Sequence, residues 1–139
     1  MNRIQKNDPK AVWSWCLYDF ANSPFTTVVV TFIFASYFAR VVAGDEIQGS
    51  VIWSRGITVC AVVIALLSPI MGAMADRGGY RKVFLTGMTL LCIVGSVQLY
   101  GVLPGDVMKG LIWFIIANIA YEMGCVFYNA YLPDIASPD

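Results

Sequence analysis

Histidine is absent from this chain, charged residues are scarce, and neither sign of charge predominates. The four cysteines (Cys16, Cys60, Cys92 and Cys125) form no Cys-x-x-Cys pair and fall one to each apolar segment. Without histidine or paired cysteines, neither a zinc centre nor a disulfide framework is expected, and the cysteines read as small packing residues. No nucleophile–base pair, metal cluster or phosphate loop stands out, so neither an enzyme nor a cofactor is expected. A formal net charge of zero argues against nucleic acid as a partner.

What fills the chain instead is apolar surface. Hydrophobic residues make up 58% and charged residues 13%, with a mean hydropathy of +0.69. A soluble domain carries about 25% charged residues. Residues 20–39, 56–75 and 83–105 hold no charge, and residues 110–133 hold only Glu122. Each run matches the roughly 20 residues that cross a bilayer as a helix. Open sheet edges cannot face lipid, and the runs are too long and too evenly apolar for barrel strands. The expected fold is therefore an all-α membrane protein with four transmembrane helices, at about 11–42, 51–75, 83–104 and 108–132. The first apolar stretch is too long for a cleavable signal peptide, so it stays as a helix.

Charge distribution sets the expected orientation. Arg3, Lys6, Lys10, Arg77, Arg81 and Lys82 fall on one side, and Arg40, Arg55 and Lys109 on the other. Under the positive-inside rule the N-terminus is cytoplasmic, and the cell (inner) membrane is the expected location. Asp8-Pro9 reads as a helix start, Trp13, Trp15 and Tyr18 as an interfacial belt, and Pro24 as a kink. Ala61, Ala65, Ser68 and Gly72 form one stripe of small residues, a pattern that lets membrane helices approach closely. The chain ends in what reads as the start of a linker, so residues 1–139 are expected to be a fragment, a partial N-terminal half-domain.

Chemistry should concentrate at the intramembrane carboxylates, because burying one costs several kcal/mol unless it is paired or neutralised. Asp19 and Glu122 are the candidates. On the fourth helix Asn118, Glu122, Cys125 and Asn129 fall within about 60° of one another. Such a stripe faces other helices or a watery cavity, and a desolvated Glu122 suits proton coupling. On the first helix Asp19, Asn22, Ser23 and Thr26 make a polar face through the bend at Pro24, the setting in which transporters build substrate sites. Asp19, Asn22, Asn118, Glu122 and Asn129 are thus the candidates for substrate or proton contact. The structural alternative is that the carboxylates simply pair with Arg77, Arg81 or Lys82 and hold the bundle together.

The loop Gly72-Ala73-Met74-Ala75-Asp76-Arg77-Gly78-Gly79-Tyr80-Arg81-Lys82 has an order of its own: a small residue, an acid, then bases. Gly72, Asp76, Arg77, Gly79, Arg81 and Lys82 would form a charge cluster that closes in one conformation and opens in the other, a latch. The bland reading is a basic cytoplasmic loop with a tight Gly-Gly turn.

This loop resembles the Gly-x-Leu-Ala-Asp-Arg-x-Gly-Arg-Lys signature of the major facilitator superfamily. Gly72, Ala75, Asp76, Arg77 and Gly79 match it, Met74 replaces Leu, and Tyr80 shifts the basic end by one position. The segments Trp15–Ser23 and Phe127–Ala136 are similar to the first- and fourth-helix segments of the vacuolar-effluxer-like (autophagy-related) branch. The resemblance implies a twelve-helix secondary transporter that moves a small solute by alternating access, with this chain holding its first four helices. In the fungal relatives it implies efflux of amino acids from the vacuole. The implied partners are the solute, protons, the lipid bilayer and the remaining transporter helices. Many proton-driven members carry an Arg in the fourth helix, whereas here that helix holds only Glu122. Four helices could not form a site between two halves, so the chain alone is not expected to transport. The rival readings are a complete four-helix multidrug exporter acting as a dimer and a non-transporting membrane scaffold.

Overall fold

The computed structural model describes residues 8–76 and 79–135. Every regular element among them is helical. Helix α1 runs Pro9–Val42, α2 Glu46–Asp76, α3 Arg81–Tyr100 and α4 Val107–Asn129, followed by a short α5 over Leu132–Ile135. The first four are each long and apolar enough to cross a membrane. The starts of α1 and α3 and the end of α4 lie at one end of the bundle, here the near end. The α1–α2 and α3–α4 turns lie at the far end.

Local chemistry sets these boundaries. Asp8 Oδ1 accepts the Lys10 amide at 3.1 Å, and Pro9 takes the first helical position. Beyond Pro24, which lacks an N–H, α1 widens into π-helix over Phe25–Phe32 and again over Phe38–Val42. Its hydrogen bonds there reach back five residues, as from the Ile33 amide to Val28 O. Helix α2 begins at Glu46, five residues before the expected 51. Asp45 Oδ1 caps it by accepting the Ile47 and Gln48 amides at 2.9 and 3.1 Å, and Gly44 supplies the turn with φ 71°. Helix α4 stops at Asn129, short of the expected 132. There the Tyr131 amide folds back to Tyr128 O at 3.2 Å, ahead of Pro133.

Helix α4 is the centre of the bundle. In its most apolar stretch 44% of residues are buried, against 6% in α2. Glycines make the close approaches. A Cβ on Gly95 of α3 would stand 2.8 Å from Ala117 Cβ on α4, and one on Gly56 of α2 would stand 2.6 Å from Leu111 Cδ1. The stripe Ala61, Ala65, Ser68 and Gly72 does not pack as expected. Ala61 and Ala65 are exposed, and nothing stands within 4 Å of a Cβ built on Gly72. The helices meet on the neighbouring face of α2, which carries Gly49, Trp53, Gly56 and Cys60, all buried.

Two aromatic clusters pin the ends. At the far end Trp53 packs against Phe38 and Phe114, with ring centroids 5.2 and 3.9 Å away. Tyr37 Oη there donates to Val102 O at 3.0 Å, and the Gly105 amide to Val42 O at 2.9 Å. At the near end Tyr128 stacks on Trp15 at 4.7 Å and on Tyr18 at 5.0 Å, and its hydroxyl donates to Trp15 O at 3.0 Å. Trp13 is exposed, but Trp15 and Tyr18 turn inward instead of joining it in an interfacial belt. They are drawn in by Tyr128 and by Thr89, whose Oγ1 lies 2.8 Å from Tyr18 Oη.

The residues expected to form a latch lie at the end of α2 and in the α2–α3 turn. Arg77 and the side chain of Asp76 lie outside the described residues. Gly79 and Lys82 are exposed, and Gly72 is half-buried. Arg81 Nε donates to Ala75 O and so caps the last turn of α2 with a cation, where the helix dipole favours one. Arg81→Gln is expected to destabilise the helical hairpin by about 1 kcal/mol. Denaturant titration in mixed micelles measures it, and an unchanged midpoint would remove the cap from the account.

Candidate functional site

The polar residues of α1 and α4 face each other near the widened turn of α1. Asn22 Nδ2 donates to Cys125 Sγ at 3.8 Å across the interface. One turn along, Tyr121 stacks on Phe25 at 5.1 Å, next to Thr26. On the opposite flank Asn118, only 8% exposed, lies beside the buried Cys60 of α2, whose thiol donates to Ile115 O at 4.0 Å. Glu122 is half-buried and close enough to Cys60, Tyr121 and Cys125 to act on them electrostatically. Asp19, exposed on α1, acts on Cys125 and Tyr128 in the same way. Cys125 therefore sits within reach of both carboxylates. The result is a polar seam running from α1 across α4 to α2.

The remaining hydroxyls of the α1 face are satisfied locally. Ser23 Oγ donates to Asp19 O at 2.9 Å, and Thr26 Oγ1 to Ser23 O at 2.9 Å. These back-bonds relieve the carbonyls around Pro24. Among the described residues neither Asp19 nor Glu122 makes an ion pair; the pairs there are Arg40–Glu46 and Asp106–Lys109. Arg81 and Lys82 therefore do not act as the structural partners considered for these carboxylates.

Of the five candidate contact residues, the structure brings Asp19, Asn22, Asn118 and Glu122 to the seam. Asn129 is exposed in the last turn of α4 and lies away from it. A cleft of about 420 Å³ opens beside Asn22, between α1 and α3, with Pro24, Phe25, Val28 and Ser96 in its walls. Two seam residues, Cys60 and Cys125, were read from sequence as packing groups. Cys125 carried a signal, since it lies three residues after Glu122 on the polar stripe. Cys60 carried none, because its role depends on which face of α2 meets α4.

A family model described as vacuole effluxer Atg22-like matches residues 42–139, well over half of the chain. The chain belongs to that family. Among similar proteins are an uncharacterized MFS-type transporter, YxiO, of Bacillus subtilis, and autophagy-related protein 22-1 of Neosartorya fischeri. Each is 29% identical over 136 residues, covering 95% and 96% of this chain respectively. The chain spans 32% of the length of the first and 20% of the second. No solved structure matches it significantly. With four spanning helices and transporter relatives, the Atg22-like chain is a multi-pass membrane protein of the major facilitator type.

Proposed function

We propose that these four helices are part of a secondary active transporter that moves a small solute by alternating access, with the α1–α4 seam contributing to the solute and proton pathway. The observation that carries this reading is Glu122. It is a half-buried carboxylate on a spanning helix, with no cationic partner among the described residues and with polar neighbours in Cys60 of α2 and in Tyr121 and Cys125 of its own helix. A charged side chain at that depth costs about 3 kcal/mol on insertion scales, so its retention without a counter-charge favours a working role. Binding a proton removes the charge and the cost, and this makes occupancy of the seam sensitive to protonation.

Asp19, Asn22 and Asn118 provide an acceptor and two amides alongside it, groups suited to a polar solute. Asn129 lies off the seam and is assigned no contact. Amino acids, the class implied by the family resemblance, are the first solutes to test. The near end, with Lys10, Arg81 and Lys82, faces the cytoplasm of the cell membrane in this reading. Gly72, Asp76, Arg77, Gly79, Arg81 and Lys82 act as the latch between states, and the Arg81 cap on Ala75 O supports a link between this loop and α2. The remaining helices of the transporter complete the pathway.

Uptake of radiolabelled amino acids into proteoliposomes of the intact transporter, with and without an imposed pH gradient, tests the proposal. Gradient-dependent accumulation is the expected result. Transport of no solute under either condition would favour the scaffold reading. Robust uptake by residues 1–139 alone would favour the small-exporter reading.

A further inference from the structure

The far end holds a second, smaller cleft that the seam does not use. It measures about 190 Å³ and lies between the last turns of α1 and the first turns of α2. Its walls carry Ser36, Arg40, Glu46, Ser50 and Ser54 over the buried indole of Trp53. The charged pair in it is lopsided. Arg40 Nε and Nη2 both donate to one oxygen, Glu46 Oε1, at 3.2 and 2.9 Å. Among the described residues no donor reaches Glu46 Oε2 and no acceptor reaches Arg40 Nη1. The pair thus offers an anionic oxygen and a cationic N–H group at the mouth of one cleft, on side chains about two-thirds exposed.

Depth narrows the ligand. The uncharged run 56–75 covers about 30 Å of helix by itself, the thickness of the hydrocarbon core. Ser54 and Trp53 lie just beyond that run, and Glu46 stands about 12 Å further along α2. On α1, Arg40 is the first charge after the uncharged run 20–39. The headgroup region adds only about 5–7 Å to each side of the core, so the Arg40 end of the cleft borders it and Glu46 stands further out, with the Trp53 indole, a group that favours the interface, as the floor.

We propose that this cleft binds a zwitterion that carries a primary ammonium a few bonds from an anionic oxygen. The ammonium donates to Glu46 Oε2, and the anionic oxygen accepts from Arg40 Nη1. Two sources share this chemistry: the headgroup of phosphatidylethanolamine and a free amino acid. Arg40, placed where the uncharged run 20–39 ends, favours the headgroup. A quaternary ammonium has no N–H and cannot make the Glu46 contact, so phosphatidylcholine should be held less well. An anionic headgroup without an ammonium would engage Arg40 alone.

Native mass spectrometry of the delipidated full chain in detergent, titrated separately with phosphatidylethanolamine, phosphatidylcholine, phosphatidylglycerol and L-serine, tests this. Phosphatidylethanolamine should be retained about tenfold over phosphatidylcholine, the worth of one charge-assisted hydrogen bond. Glu46→Gln should erase that preference, and Arg40→Gln should lower retention of both phosphatidylethanolamine and phosphatidylglycerol. Ser54→Leu fills the cleft without touching the ion pair and should also erase the preference. It guards against a Glu46 variant that merely loosens the turn. Saturable retention of L-serine in place of the lipid would assign the free zwitterion as the source. Equal retention of the ethanolamine and choline lipids, with no L-serine bound, would overturn the proposal. So would a preference that survives both Glu46→Gln and Ser54→Leu.

Discussion

Gly49→Leu is expected to leave little folded protein. An ideal Cβ at Gly49 would stand 2.6 Å from both Cα and O of Ala39 and 2.9 Å from Ala43 Cβ. Two of those three atoms belong to the backbone of α1 and cannot swing aside. The helices must separate, and the separation would reach Trp53, one turn along α2, and its packing against Phe38 and Phe114. In lipid, helices associate through close packing because the acyl chains are as apolar as the side chains, so nothing offsets the lost contact. Overpacking alone costs up to about 3 kcal/mol, and losing the Trp53 packing adds about 3 kcal/mol more, together most of the stability of a small bundle. Gly72→Ala and Gly87→Ala serve as controls. A Cβ at either meets nothing within 4 Å, so both should fall within about 0.5 kcal/mol of the parent. Denaturant titration in mixed micelles, together with size-exclusion profiles, separates the three variants. A monodisperse, fully stable Gly49→Leu chain would mean that α1 and α2 do not meet at this residue.

The same glycine marks where sequence reading stops. The number of helices and their apolar runs follow from charge-free stretches alone, because lipid leaves the backbone no other way to satisfy itself. The beginning of α2 at Glu46 was hidden because Glu46, Gln48 and Ser50 do not read as membrane residues. Its evidence lies in the Asp45 cap. Pro24 announced a disturbance in α1, but an eight-residue π-helical stretch is a response to neighbours as much as to the ring. Small residues on α2 were legible as a stripe, yet two stripes exist. Ala61, Ala65, Ser68 and Gly72 make one, and the glycines at 49 and 56 mark the other. Only the partner helices decide between them. The polar seam was half legible for the same reason. Spacings of three and four placed Asn118, Glu122 and Cys125 on one face, and Asp19, Asn22 and Thr26 on another. That Asn22 meets Cys125 and Asn118 meets Cys60 is a fact of helix pairing, which no single stripe contains.

Glu122→Gln in the intact transporter is expected to lower gradient-driven uptake by about 100-fold, the low end for removing a positioned proton-transfer group. Glutamine keeps the shape and the acceptor oxygen of the side chain and removes only its proton exchange. Solute exchange in the absence of a gradient should therefore persist within about threefold, because its binding groups are intact. Asp19→Asn should cost less, about tenfold, since Asp19 is exposed near the start of α1, whereas Glu122 is half-buried on the central helix. The double variant is the sharper measurement. Both carboxylates act on Cys125, one from α1 and one from α4. If a single proton serves the pair, adding Asp19→Asn to Glu122→Gln should change little, leaving a coupling of about 1 kcal/mol or more between the sites. If the two act separately, their losses should multiply. Multiplying losses would divide the seam into two unrelated carboxylates. Unchanged gradient-driven uptake in Glu122→Gln would remove the proton from the seam altogether and leave Glu122 as a polar strut between α4 and its neighbours.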